Sequence, residues 1–393
     1  MLRFLIFLFP ALVDVVVGSL IFITTYRLVL IEASAFEVAL PPTMWALGHS
    51  TFSFFVGMIN TDKRAPKLII SACMVMALGS ILMIVFPAEK LQWIWALLIG
   101  LGSALFFPSF QVFMKASDKD VHAGLVRSTA IYGFAWSTGI ASGPFIASFV
   151  WGIISPDNGW IYCYIINILF VLAVAASTIP LRNYIKKYHE SSPAPDVPSE
   201  EERKVNYSKM PNMVWLGWSV AAIGCLTITF IRTLFPNKAN MLNISKEDLG
   251  FIMALLAYSQ AFFSLLLVKS RYWMYKKLPM FLFALCGLTA MLLFGFGNQI
   301  WMFYLAAAVF GIYASSFFFC LVFHSLVHPE HSGKYVSWNE VVVGLMGILA
   351  PMAGGLLIDA SKNVSLPFII GGVIIAVMII VQTYGLRKVS QNL

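Results

Sequence analysis

Twelve runs of about twenty mostly apolar residues follow one another along this chain, and that pattern constrains its fold more than any other feature. Each run is long enough to cross about 30 Å of hydrocarbon as a helix. We place the spans at Phe4–Leu28, Val38–Ile59, Leu68–Val85, Trp93–Met114, Ser128–Val150 and Trp160–Ile179. After a long polar stretch come Met213–Leu234, Leu249–Val268, Leu278–Phe296, Ile300–Leu326, Val336–Ile358 and Leu366–Gly385. Composition agrees, because 60% of the 393 residues are hydrophobic and only 11% are charged. Soluble domains run near 45–50% apolar and about 25% charged, and a soluble chain could not hide this much apolar surface.

Three other readings fail on position. The net charge of +8 falls in short breaks between apolar runs, with no basic stripe interleaved with aromatics, so no nucleic-acid partner is expected. Ala33-Ser34-Ala35 looks like a signal-peptide cleavage site, but the run before it is about twice an h-region in length and carries Asp14 and Arg27. The five cysteines (Cys73, Cys163, Cys225, Cys286, Cys320) lie inside apolar runs without CxxC spacing, so neither a zinc site nor a disulfide framework is expected. No cofactor and no metal are implied.

Basic residues orient the spans. With the N-terminus inside, cytoplasmic segments hold 20 of the 26 Lys and Arg, while outer loops hold only Lys90, Lys238, Lys246 and Lys362. That is the positive-inside bias, and it puts both termini in the cytoplasm. The stretch 186–212 carries Ser191-Ser192-Pro193-Ala194-Pro195 and Glu200-Glu201-Glu202, the composition of a solvated linker. It separates a six-helix half at 1–185 from another at 213–393.

The halves echo each other. Gly143-Pro144 in span five matches Ala350-Pro351 in span eleven, followed by the small pairs Ala147-Ser148 and Gly354-Gly355, at an offset of 207. Ile23-Thr24-Thr25-Tyr26-Arg27 echoes Ile228-Thr229-Phe230-Ile231-Arg232 at an offset of 205. Two parallel repeats of this kind are an arrangement found in transporters. The expected fold is therefore all-α, with twelve transmembrane helices in two six-helix parallel repeats.

Three elements resemble the major facilitator superfamily over essentially the whole chain. The loop after span two reads Gly57-Met-Ile-Asn-Thr-Asp62-Lys63-Arg64-Ala65-Pro66-Lys67, similar to that family's G-x-x-x-D-R/K-x-G-R/K-R/K. Asp62, Lys63 and Lys67 fit, while the first glycine is displaced by one position and Ala65 replaces the second. Span five carries Gly139-x-x-x-Gly143-Pro144, similar to the family's G-x-x-x-G-P element. Small residues four apart let helix backbones touch, and the proline removes a helix hydrogen bond. Span four carries Gly100-Leu-Gly102 and Pro108, with Ala96 where proton-coupled members often have arginine. The resemblance implies alternating access, with Asp62, Lys63, Lys67, Gly139, Gly143, Pro144 and Pro351 as gating positions.

Four charged residues fall inside the spans, and burying each costs at least about 2.5–3.5 kcal/mol on insertion scales. Asp14 shares a face of span one with Gly18, Ile21 and Thr25. Desolvation disfavours a charged carboxylate, which suits a group that loads and releases a proton. Glu340 lies one turn into span eleven, in line with Gly344, Gly347 and Pro351. We assign coupling to Asp14 and Glu340. Arg232 shares a face with Trp218, Cys225 and Thr229, while Arg27 is expected to snorkel to the interface. An ion pair between Asp14 and Arg232 would link binding to the movement of the halves.

Substrate contacts are expected among Trp45, His49, Gln111, Trp136, Arg232, Tyr258, Gln260, Tyr313 and Asn339. Ring faces and amides at mid-membrane suit a polar solute with apolar ring surfaces. The expected function is secondary active transport of a small polar or anionic solute, sugar-like or an organic acid. The expected location is the cytoplasmic (inner) membrane. The partners are the substrate, a coupling ion (proton or sodium) in symport and membrane lipid, and the protein is expected to act as a monomer. The alternatives are an exporter of amphipathic drugs or lipids and a membrane-embedded sensor. An enzyme is not expected, because no metal cluster and no nucleophile with its base stand out.

Overall fold

A computed structural model describes residues 2–61, 63–116, 123–155, 157–191, 212–267, 272–326 and 332–390. Regular structure among the described residues is helical throughout. The first half contains α1 (Leu8–Leu30), α2 (Ala35–Ile59), α3 (Ala65–Val85), α4 (Gln92–Ala116), α5 (Ala123–Ile154) and α6 (Gly159–Ser191). The second contains α7 (Val214–Met241), α8 (Lys246–Leu267), α9 (Lys277–Phe296), α10 (Ile300–Leu326), α11 (Ser332–Ser361) and α12 (Leu366–Ser390). Each expected span falls largely on one of these helices, and span one begins in a short 3-10 helix at Leu2–Phe7. Eleven are long and apolar enough to cross a membrane. The twelfth, α2, has the length, and Pro41, Pro42, His49, Ser50, Thr51 and Ser53 interrupt its apolar run.

One charge is not where the sequence pattern put it. Lys238 was expected in an outer loop, but α7 continues through Pro236 to Met241 and Lys238 is 1% exposed. Its ammonium donates to the carbonyls of Phe294 at 2.8 Å and Gly295 at 2.6 Å, at the end of α9. The Phe303 ring lies 5.6 Å from it. Orphan carbonyls at a helix C-terminus need donors, and a cation there also opposes the helix dipole. Arg27, expected to reach the interface, is likewise buried, at 6% exposure.

The halves share a corner that sequence matching missed. After α1, Ala33 N–H bonds Leu28 O at 3.0 Å and Glu32 takes a left-handed φ of 55°. After α7, Ile244 N–H bonds Ala239 O at 2.9 Å and Asn243 has φ 53°. Both are Schellman ends, which usually place glycine at the left-handed position. A serine then opens the next helix each time. Ser34 and Glu37 cap one another at the start of α2, and Ser245 and Asp248 pair at the start of α8. Such capping boxes satisfy helix donors locally.

The corners set the correspondence at 211 residues, since Leu28 matches Ala239 and Ser34 matches Ser245. Arg27 therefore corresponds to Lys238, and the echo with Arg232 at 205 is not the structural match. At Gly143 and Ala350 the offset is 207, four less than at the corners.

By its contacts the chain forms two compact units, Met1–Thr24 with Met44–Val205, and Thr25–Thr43 with Asn206–Leu393. In the first, α3 packs on α4 and α6, and α5 on α6. In the second, α9 packs on α10 and α12, α10 on α8 and α7, and α11 on α7.

Candidate functional site

In the first unit, α1 and α5 approach to backbone contact. A side chain on Gly139 would run into the Ala11 carbonyl and stand 2.8 Å from the β-carbon of Asp14. One on Gly143 would stand 2.5 Å from the Ser19 nitrogen, and one on Gly18 would lie 2.8 Å from Ile140 O. The glycine element of span five is thus a packing face, and Pro144 is buried beside it. Asp14 sits on this contact at 1% exposure. One turn further along α1, Ser19 Oγ donates to Asn167 Oδ1 on α6 at 2.8 Å, so α1 is held from two sides.

The structure brings Trp45 and His49 together. Their rings stack 5.5 Å apart at 7°, and Phe107 of α4 meets His49 edge-on at 5.7 Å. Trp45 Nε1 donates to Ser103 Oγ at 3.1 Å. The close approach of α2 and α4 creates this cluster: a side chain on Gly48 would stand 2.6 Å from Leu97 O, and one on Gly100 would run into Trp45 O. Nδ1 of His49 is buried without a hydrogen-bond partner among the described residues. Gln111 lies exposed near the far end of α4 and Trp136 is half-buried on α5.

In the second unit, Asn339 joins three helices. Its Oδ1 accepts from Trp218 Nε1 of α7 and from Ser325 Oγ of α10, both at 2.8 Å. His324, 1% exposed, lies beside this triad between the rings of Tyr275 and Phe323. Tyr313 is buried over Gly287 of α9, flanked by Phe310 and Phe317. Tyr258 and Gln260 share α8 but not a face: Tyr258 is 40% exposed and Gln260 only 2%. Gln260 Oε1 is buried without a partner among the described residues. Arg232 is half-buried on α7.

Lys63 and Lys67 are exposed and Pro351 is buried in α11. Asp62 and the Glu340 side chain lie outside the described residues. Sequence reasoning placed Trp218 on the Arg232 face without its Asn339 partner, and it passed over Ser325, Ser103 and Phe107, which are ordinary residues of apolar helices until packing joins them. It also passed over Asp359 of α11, whose carboxylate accepts the N–H groups of Ala35 and Phe36 within the second unit.

The family model described as Major Facilitator Superfamily matches residues 3–324 and 217–391. A bacterial homolog of the human lysosomal transporter Spinster, solved inward-facing and unoccupied, has a similar fold. Its TM-score is 0.66 at 13% identity, with 99% of this chain and 96% of that one covered. The nucleoside transporter NupG is similar at TM-score 0.65 and 13% identity, covering 99% and 98%. No curated protein matches this chain by sequence.

Proposed function

The chain belongs to the major facilitator superfamily, as a multi-pass membrane transporter, and on that premise we propose that it moves a small polar organic solute across the cytoplasmic membrane by alternating access, driven by a cation gradient. The observation that carries the coupling is Asp14, a carboxylate 1% exposed at a contact between two helices. Desolvation penalises the charged form of a carboxylate more than the neutral acid, so protonation changes what the α1–α5 contact tolerates. Glu340, on the helix that carries Pro351, is the second coupling group, taking a proton or sodium ion. The positive-inside distribution supports cytoplasmic termini.

The test is uptake into proteoliposomes under an imposed proton or sodium gradient. Asp14→Asn should abolish accumulation against a gradient while leaving exchange of internal for external solute largely intact. Accumulation at the wild-type rate would refute the coupling role of Asp14. Transport of a lipophilic cation dye in place of polar solutes would favour the exporter reading, which the glycine-proline element also fits.

A further inference from the structure

The 211-residue correspondence set by the corners extends into α2 and α8. Trp45 O faces Gly100, and Leu256 O faces Gly311, where a side chain would stand 2.5 Å away. Gly48 opposes Leu97 O, and in the second half Ser259 Oγ donates to Ala308 O at 2.7 Å. All four pairs are separated by 211 residues. The same register aligns Ala46-x-x-His49-x-x-Phe52-Ser53 with Ala257-x-x-Gln260-x-x-Phe263-Ser264. His49 and Gln260 therefore occupy one structural position in the two repeats.

They also share a defect. A buried polar atom left without a partner costs about 1–3 kcal/mol, so each case calls for an explanation. His49 Nδ1 and Gln260 Oε1 are both such atoms among the described residues, and Gln260 is 2% exposed. One unmet group is an accident of packing; the same unmet position in both repeats is a feature of the repeat. Around each, the backbone is already satisfied by the helix, which leaves the side chain as the available donor and acceptor.

Imidazole and carboxamide are chemically alike here, each offering one donor edge and one acceptor edge without needing a charge. A site built to bind an anion would present a guanidinium or ammonium instead. The buried ammonium of Lys238 is already committed to two helix carbonyls, and the guanidinium groups of Arg27 and Arg232 belong to α1 and α7, not to the helices of this pair. Beside His49 the rings of Trp45 and Phe107 offer apolar faces of the kind that sugar C–H surfaces or flat heterocycles pack on.

We infer that His49 and Gln260 are equivalent substrate-recognition residues, one per repeat, and that the substrate is an uncharged solute bearing hydroxyl or amide groups beside an apolar ring face. This assignment rests on the transporter reading above and narrows its small polar solute to the neutral class.

The test is proteoliposome uptake of four probes by the full chain: glucose, uridine, lactate and the lipophilic cation rhodamine 6G. Glucose or uridine should show saturable uptake, and lactate and rhodamine should not compete with it. His49→Ala and Gln260→Ala should each raise KM roughly five- to a hundredfold, as expected for one lost buried hydrogen bond. His49→Gln and Gln260→His restore a donor and an acceptor and should stay within a few-fold of wild type. These conservative variants decide the matter if the alanine variants do not fold. Neutral-probe KM unchanged within twofold in folded alanine variants overturns the assignment of the pair. Saturable uptake of lactate alone overturns the neutral class and leaves the proposed function standing. Uptake of rhodamine alone, or of none of the four, overturns the inference and the proposed function together.

Discussion

The carboxylate of Asp359, at the end of α11, accepts the backbone N–H of Ala35, the first residue of α2, at 2.9 Å. Its second oxygen takes the Phe36 N–H at 3.0 Å. The capping box has already satisfied the N–H groups of Ser34 and Glu37, and Val38 bonds Ser34 O. Asp359 thus takes the two donors that local sequence leaves unmet. Gly355 packs on the same turn, where a side chain would stand 2.8 Å from Ala35 O.

Because α2 keeps its own capping box, Asp359→Ala should loosen this end without melting the helix. Loss of a cap of this type costs about 0.5–2 kcal/mol. Hydrogen exchange should speed at Ala35 and Phe36 and stay unchanged in the middle of α2. Unchanged protection at both amides would contradict the capping role.

Lys238 should be needed for folding rather than transport. Lys238→Met keeps most of the volume but strips donors from Phe294 O and Gly295 O. Charge-assisted bonds of this kind are worth about 1.5–3 kcal/mol each. A clear fall in Tm is expected, with the KM of the surviving protein within about twofold of wild type. Lys238→Arg should not rescue stability, because the larger planar guanidinium does not fit a pocket shaped by Phe235, Phe294 and Phe303.

Gly139 should tolerate nothing larger. Even Gly139→Ala drives a methyl group into the Ala11 carbonyl and against Asp14, so α1 must move off α5. Gradient-driven accumulation should fall at least tenfold, while Gly133→Ala, with open space around it, should be near neutral. Comparing the two variants in one uptake assay separates tight packing from a general intolerance of change in α5.

Arg232→Gln discriminates substrate charge independently. If the solute is neutral, its KM should stay within about threefold of wild type. An anionic solute would lose a charge-assisted bond and roughly an order of magnitude of affinity. Competition measurements with uridine and lactate on the same preparation read both outcomes.

Length, hydropathy and the spacing of basic residues were enough to count twelve helices. Those features are one-dimensional: a helix of about twenty apolar residues in hydrocarbon needs no partner to be recognised. Small-residue spacing also foretold that α5 packs closely, because Gly139 and Gly143 have few other uses four residues apart in a membrane helix. The tertiary structure alone decided which face of each helix points where. Lipid and protein interior are both apolar, so the periodicity that marks the buried face of a soluble helix is weak here. For that reason the pairing of Trp218 with Asn339 had no sequence signal, and spacing put Tyr258 and Gln260 on opposite faces without saying which face is buried. Lys238 looked like a loop charge because its partners are backbone carbonyls 56 and 57 residues away, and carbonyls leave no trace in a sequence. The match of His49 with Gln260 was written in the sequence, but only the two corners, closed by hydrogen bonds at Glu32 and Asn243, supplied the register that reveals it.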